Sequence, residues 1–403
     1  MKIVFIRSNP ISPDSRVEKE VNSLIQNGHH VQIIAWDREY SYKERKTTLV
    51  LKNTACKITH FGIHASFGGG FKKNIKALLL FQLAIRKWLI KNQFEYDVIH
   101  ACDFDTAFVA GKVARKLQKE MVYDIFDYYV DSFTVPQKLR KIIEKADIKT
   151  INQSSHTIIC TEQRKNQIAL SKPKKLTIIH NTPYDLPLGV NSFMVDKEKL
   201  SIAYIGIFQE GRMIKELVDV VSENNELELH IGGFGQLGNY INDMSQRYIN
   251  IHFYGKLPYD KTLQLEKSCD IITALYDPSV PNHVYAAPNK FYEALMLGKP
   301  LIMARNTGLD SIVSAEQFGK VIDFNKDDLQ TALKQLANEK QSFSEISKKM
   351  KQYYKTKFSW EEMERRLLSI YKSMEEDNEK NYGSLWNETR SNKNVPVSKR
   401  SSI

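Results

Sequence analysis

Three residues at the start of one helical pattern carry chemistry that packing does not need. The stretch AAPNKFYEALMLGKPLI (286–302) reads as a turn, an apolar helix, a Gly298 stop and a strand, yet Asn289, Lys290 and Glu293 occupy the helix's first turns. Lys290 and Glu293 are three apart and share a face; as a surface pair they would add only about 0.2–0.5 kcal/mol. They follow the loop DPSVPNHVYAAP (277–288) at the carboxyl end of a strand-like segment, where an α/β domain places its ligand site. A carboxylate there can accept both hydroxyls of a ribose while the ammonium meets a phosphate; Asn289 is either a cap or a ligand contact. Arg212, in AYIGIFQEGRMIKELVDVV (203–221), is expected in the first turn of a helix that follows a strand. A guanidinium there opposes the helix dipole unless an anion joins it. Arg16 repeats that placement in SRVEKEVNSLIQNG (15–28), where Ser15 and Glu18 fit a capping box and Gly28 a terminator.

Other motifs are weaker. Gly233-Phe-Gly235-Gln-Leu-Gly238 fits G-x-G-x-x-G, but a dinucleotide site needs an acidic residue at the end of the next strand, where Lys256 stands. What survives is a Gly-rich turn that lets backbone approach a ligand closely. Asp103-Phe-Asp105 is a D-x-D without further oxygen ligands nearby, so no metal is expected; His100 and Asp103 read as sugar or acceptor contacts or as a capped turn.

The elements that position these residues alternate. Strand-like KIVFIRS (2–8), HVQIIAW (30–36), DVIHAC (97–102), EMVYDIF (120–126), HTIIC (156–160) and LTIIH (176–180) are separated by helical patterns. After a linker, with a hinge near 181–195, the rhythm restarts with KLSIAYIGIF (199–208), LELHIGG (227–233), NIHFYGK (250–256), CDIITALY (269–276), PLIMAR (300–305) and GKVIDF (319–324). The expectation is α/β: two doubly wound, Rossmann-like domains facing across a cleft. A helix over 359–376 comes last, and 377–403 is polar, aperiodic and expected to be disordered.

Composition agrees. With 403 residues, two domains are natural. A net charge of +11 favours polyanions, acidic membranes or phosphorylated ligands. Four scattered cysteines form no C-x-x-C pair, which argues against a zinc site or disulfide framework and for a reducing compartment. The apolar run ALLLFQLAI (77–85) is too short to span a bilayer, so a cytoplasmic protein is expected. The amphipathic segment 71–93 reads either as an ordinary docked helix or as a contact with an anionic membrane.

Together, SRVEKEVNSLIQNGHHV, YDVIHACDFD, VYDIFDYY, IIHNTP, YIGIFQEGRMIKEL, HFYGKLP and PNKFYEALMLGKPLI resemble, in order and spacing, the GT-B-fold glycosyltransferases of family 4, up to about residue 375. The resemblance implies an acceptor-binding domain (1–182), a nucleotide-sugar-binding domain (183–356) and a helix (357–376) crossing back to the first. It gives Arg212 and Lys290 the catalytic task of neutralising the donor diphosphate and Glu293 the ribose. Gly233 and Gly235 would lie near the nucleotide, backbone at Lys256 and Leu257 would frame the base, and Asn289 would assist. It implies retention of configuration with neither metal nor other cofactor. The partners are a nucleotide diphosphate sugar and a saccharide or lipid-linked acceptor of bacterial surface glycan synthesis, with no nucleic acid, at the inner face of the plasma membrane. Arg16, His100, Asp103 and Asp127 are the expected acceptor or sugar contacts. Two departures stand out: Tyr285 where many relatives carry a second Glu, and Phe126 where many carry His, leaving Asp127 as substitute. A nucleotide-sugar epimerase of the same fold and a non-catalytic nucleotide-sugar-binding subunit are the alternatives.

Overall fold

The computed structural model describes residues 1–66, 70–132, 135–185, 189 and 193–391. Of the expected hinge, 186–188 and 190–192 lie outside the described residues, as does 392–403 of the tail.

The first sheet comprises β1 (Lys2–Arg7), β2 (His30–Asp37), β3 (Tyr42–Val50), β4 (Ala55–Gly62), β5 (Val98–Cys102), β6 (Glu120–Ile125), β7 (His156–Ile159) and β8 (Leu176–Ile178). Their order is β3-β4-β2-β1-β5-β6-β7-β8, parallel throughout except that β3 runs antiparallel to β4. The second sheet, β9 (Leu200–Phe208), β10 (Leu227–Gly235), β11 (Ile251–Phe253), β12 (Ile271–Ala274), β13 (Leu301–Ala304) and β14 (Gly319–Ile322), is parallel in the order β11-β10-β9-β12-β13-β14. Each sheet grows in both directions from its first strand, so its switch point lies between β1 and β5 in one domain and β9 and β12 in the other.

Period-two alternation builds the layers. Along β1, Val4 and Ile6 join the core that holds Trp36, Phe81 and Ile85, whereas Ile3 and Phe5 join Val17, Val21 and Leu24 on the other face. That second core is completed from the far end of the chain by Trp360, Met363, Leu367, Ile370 and Tyr371, so the last helix packs on the first domain. Each such fully buried side chain contributes about 1.5–3 kcal/mol. This helix runs Trp360–Ser391, continuing past residue 376, where aperiodic chain was expected.

One local expectation shifts by a residue. The cap of helix Ser15–Gln26 is Asp14, whose carboxylate accepts from Val17 N while Glu18 accepts from Asp14 N; Ser15 is the first helical residue. Gly298 does end its helix in a left-handed conformation, at φ 68°. Among the described residues, no helix is long and apolar enough to cross a membrane.

Candidate functional site: two cavities at the switch points

In the second domain the ends of β9 and β12, the following loops and the start of helix Asn289–Leu297 enclose a cavity. Tyr204, Gly206, Ile207, Arg212, Tyr276, Asn289 and Lys290 are among its lining residues. It lies at the switch point, with a helix amino terminus facing in, which favours an anion. Arg212 precedes its helix, which starts at Ile214, instead of lying in the first turn; Met213 caps it at φ 51°. The Arg212 guanidinium lies 3.5 Å over the Tyr276 ring, and its Nη1 is buried without a hydrogen-bond partner. An unsatisfied buried donor costs about 1–3 kcal/mol. An anionic ligand in the cavity would supply what the protein leaves unpaired.

Lys290 is placed differently. Its ammonium donates to Glu266 and to Glu293, 2.6 Å in each case. Glu266, on helix Tyr259–Ser268, is fully buried, and burial, with Glu293 nearby, pushes its carboxyl up to about 8 against the pull of Lys290. Burial opposes the Lys290 charge too, but the two carboxylates outweigh it and raise its pKa. Glu293, beside Tyr259, is nearly inaccessible. Asn289 does not cap the helix: Pro288 holds that position, and the Asn289 amide oxygen accepts from Asn181 at 3.3 Å.

Gly233 and Gly235 close β10 against β9. A Cβ on Gly233 would stand 1.8 Å from the Gly206 carbonyl oxygen, and one on Gly235 2.4 Å from that of Phe208. The backbone these glycines approach closely is therefore the neighbouring strand's. Lys256 and Leu257 follow β11, beside β10 and outside the set lining the switch-point cavity; the Lys256 ammonium sits 5.2 Å from the Phe234 ring.

The first domain has a matching cavity of about 570 Å³ at the ends of β1 and β5, lined by Arg7, Asn9, Asp37, Asp103, Asp127 and others. Asp103, at φ 62°, accepts from Arg7 and from the backbone of Phe126 and Asp127; burial pushes its carboxyl up to about 6 despite Arg7. Asp127 is half exposed and pairs with Arg164 at 2.8 Å.

Arg16 and His100 are not in this cavity, and the expectation that they contact an acceptor is corrected. Arg16 is fully buried, bonded to Asp124 at 2.7 Å and the Ile179 carbonyl at 2.6 Å, with Glu20 at 3.1 Å. His100 is also fully buried, stacked on Phe5 and 2.6 Å from the Tyr371 hydroxyl of the last helix. Arg16 ties elements of the first domain to one another, and His100 ties that domain to its covering helix. Phe126 lies between the guanidinium groups of Arg7 and Arg16, at 4.1 and 4.6 Å.

Between the domains a further cavity of about 510 Å³ brings Lys19, Asn181, Tyr184 and Tyr259 together with Asn289 and Glu293. Lys19 donates to the Thr182 carbonyl, and burial, helped by Arg16, lowers its ammonium to about 7. Tyr285, in the turn Pro281–Tyr285, lines neither this cavity nor the one beside Arg212. Sequence reasoning missed Arg7, Lys19, Glu266 and Tyr276. Arg7 had a signal, as the last residue of the first strand at a switch point, whereas Glu266 lies 24 positions from Lys290 with no local pattern joining them.

Residues 16–182 match the family model described as Glycosyltransferase Family 4, and residues 191–357 match Glycosyl transferases group 1. No curated protein sequence matches. Among solved structures, sucrose-phosphate synthase from Thermosynechococcus elongatus is 15% identical with a TM-score of 0.72, covering 93% of this chain and 99% of its own. Anabaena HepE bound to UDP-glucose is 13% identical (TM-score 0.65; 93% and 100% covered). The lipopolysaccharide outer core galactosyltransferase WaaB is 16% identical (TM-score 0.62; 92% and 100%). At these identities the likeness is one of fold.

Proposed function

The chain belongs to the glycosyltransferases that these two family models describe, and from that premise we propose how its site works and on what. It moves a sugar from a nucleoside diphosphate to a saccharide or lipid-linked saccharide acceptor, with retention, in bacterial surface glycan synthesis. The observation that carries the donor site is the buried, unpartnered Nη1 of Arg212, in a cavity fronted by a helix amino terminus and Lys290.

The diphosphate binds there, and Arg212 fills its open donor position on a phosphate oxygen. Charge grows on that oxygen as the glycosidic bond breaks, so a donor already in place stabilises the transition state more than the ground state. Lys290 adds positive charge but is held by the Glu293 and Glu266 side chains, so it exchanges one of them for phosphate when the donor arrives. Glu293, released from Lys290, takes the ribose hydroxyls. Neutralisation comes from these side chains and the helix N–H groups, with no metal or cofactor in the scheme. The cavity at Arg7, Asn9, Asp103 and Asp127 supplies donors and acceptors for a polyhydroxylated acceptor.

Helix Gly70–Lys91 supports a membrane-bound acceptor and a place at the inner face of the plasma membrane. Its exposed stripe reads Lys73, Lys76, Leu79, Leu80, Leu83, Arg86 and Lys87: three leucines between two basic ends. That is the pattern of a surface that rests on anionic lipid.

Since HepE is bound to UDP-glucose, uridine diphosphate sugars are the first donors to try, followed by guanosine and adenosine diphosphate sugars in a thermal-shift panel. Incubating the stabilising donor with and without a lipid extract distinguishes transfer from a change made to the donor alone. If Glu293→Ala keeps full donor affinity and full transfer, the site assignment is wrong.

A further inference from the structure

A cluster of ligating side chains lies on the second sheet, apart from the cavities described above. Glu228 and His230 are two apart on β10 and so share a face, and the strand register sets His230 directly beside His252 on β11. The three converge. His252 Nε2 is 2.7 Å from one Glu228 oxygen, His230 Nε2 is 3.0 Å from the other, and the ligand atoms all lie within 4.8 Å of one another. Glu228 and His230 are buried, whereas the His252 side chain is 37% exposed.

Hydrogen bonding alone does not satisfy this group. His230 Nδ1 is 2.8 Å from the Tyr254 hydroxyl, but its Nε2 is buried and makes no hydrogen bond, despite the carboxylate beside it. In the tautomer whose Nδ1–H donates to the Tyr254 oxygen, Nε2 presents a bare lone pair next to an anionic oxygen. A cation between them turns that repulsion into two bonds. A ring oriented through its second nitrogen is how metal-ligating histidines are held. In a tetrahedral site with bonds of about 2.0–2.1 Å, neighbouring ligand atoms stand about 3.3 Å apart. The 2.7 and 3.0 Å separations, each to a different oxygen of Glu228, are shorter than that, so both imidazoles move outward to admit the ion.

We infer that Glu228, His230 and His252 bind one divalent transition-metal ion, with water entering from the His252 side to complete the coordination. Two imidazoles and a carboxylate are a zinc-type donor set. The comparable group Glu20, His100 and Asp124 already has a fixed cation, Arg16, bonded within it. Glu228 also accepts from the Asp196 backbone at 2.9 Å, and Phe193 packs edge-on against Tyr254. The ion therefore ties two strands to the segment that enters the second domain. Its role is structural and independent of the sugar-transfer reading.

The test uses the full chain, stripped with a chelator and titrated with Co²⁺ as a spectroscopic substitute for Zn²⁺. One equivalent should bind with the intense visible bands of a four-coordinate ion, be displaced by Zn²⁺ and raise the thermal midpoint. Glu228→Gln and His252→Ala should abolish that spectrum. Tyr254→Phe, which leaves all three ligands in place, should keep the stoichiometry and weaken binding about 10–100-fold. Absence of saturable Co²⁺ binding, or a spectrum and affinity unchanged in folded His252→Ala, overturns the assignment.

Discussion

Replacing Arg212 with Ala should separate function from stability. In the free protein the guanidinium has two opposing contributions: an unpaired buried Nη1, costing about 1–3 kcal/mol, and its stacking on Tyr276, returning about 0.5–2 kcal/mol. These nearly cancel, so Arg212→Ala should change unfolding free energy by no more than about 1 kcal/mol. With donor bound, Nη1 gains a charge-assisted hydrogen bond of about 1.5–3 kcal/mol, so its loss raises Kd about 10–150-fold. The bond strengthens as the diphosphate departs, so kcat falls as well. Arg212→Lys keeps the charge without the planar fork and should fall between the two. Urea unfolding without ligand, calorimetric titration with the nucleoside diphosphate and steady-state transfer give the three readings. If Arg212→Ala loses about 3 kcal/mol or more of stability and binds nucleotide unchanged, the guanidinium is structural and the reasoning fails.

Gly233→Ala places a Cβ 1.8 Å from the Gly206 carbonyl oxygen, at a φ of 146° that disfavours an L side chain, and should cost about 3 kcal/mol or more of stability by urea unfolding. Tyr371→Phe leaves His100 Nδ1 buried without its 2.6 Å partner; the thermal midpoint should fall, by about 1–3 kcal/mol of stability, while nucleotide Kd stays the same in calorimetry. Glu266 has its carboxyl raised by burial from 4.5 to about 8, so the folded state holds a proton that the unfolded state releases. Its stability contribution is full below about pH 4.5 and is lost as pH rises through about 8; melting curves from pH 6 to 9 should fall less steeply in Glu266→Gln than in the native chain.

The parallel strands were legible because buried strands such as IVFI and IIA are short apolar runs, bounded by caps and glycines. The hairpin formed by β3 and β4 was not. YKERKTTLV is a polar, largely exposed edge strand, and its alternation carries no apolar face to read. The site shows the same division. Lys290 and Glu293 could be found because helical spacing joins them, and Arg212 because strand, loop and helix frame it. Glu266, Tyr276 and Lys19 reach the cleft only through tertiary packing, which no local period records. Arg16 shows the opposite failure. Its place near a helix start invited an anion, but the sheet supplied Asp124 from 108 residues away and satisfied the charge internally.

Phe126 shows why a departure from a family pattern need not be a loss. The slot lies between two guanidinium groups, Arg7 at 4.1 Å and Arg16 at 4.6 Å. Two fixed cations at that range disfavour a protonated imidazole, so a histidine here would stay neutral. A phenyl ring is attracted by both cations through its faces and serves as a spacer between a buried ion network and an open cavity. On the cavity side, Arg7 is engaged by Asp14 and Asp103, and the Phe126 and Asp127 backbone by the same Asp103. The aromatic ring thus belongs to a linked set, Arg16–Phe126–Arg7–Asp103, that runs from the core to the edge where an acceptor would sit. Restoring histidine alone would not restore a sugar contact, because the cations on either side would have to change with it.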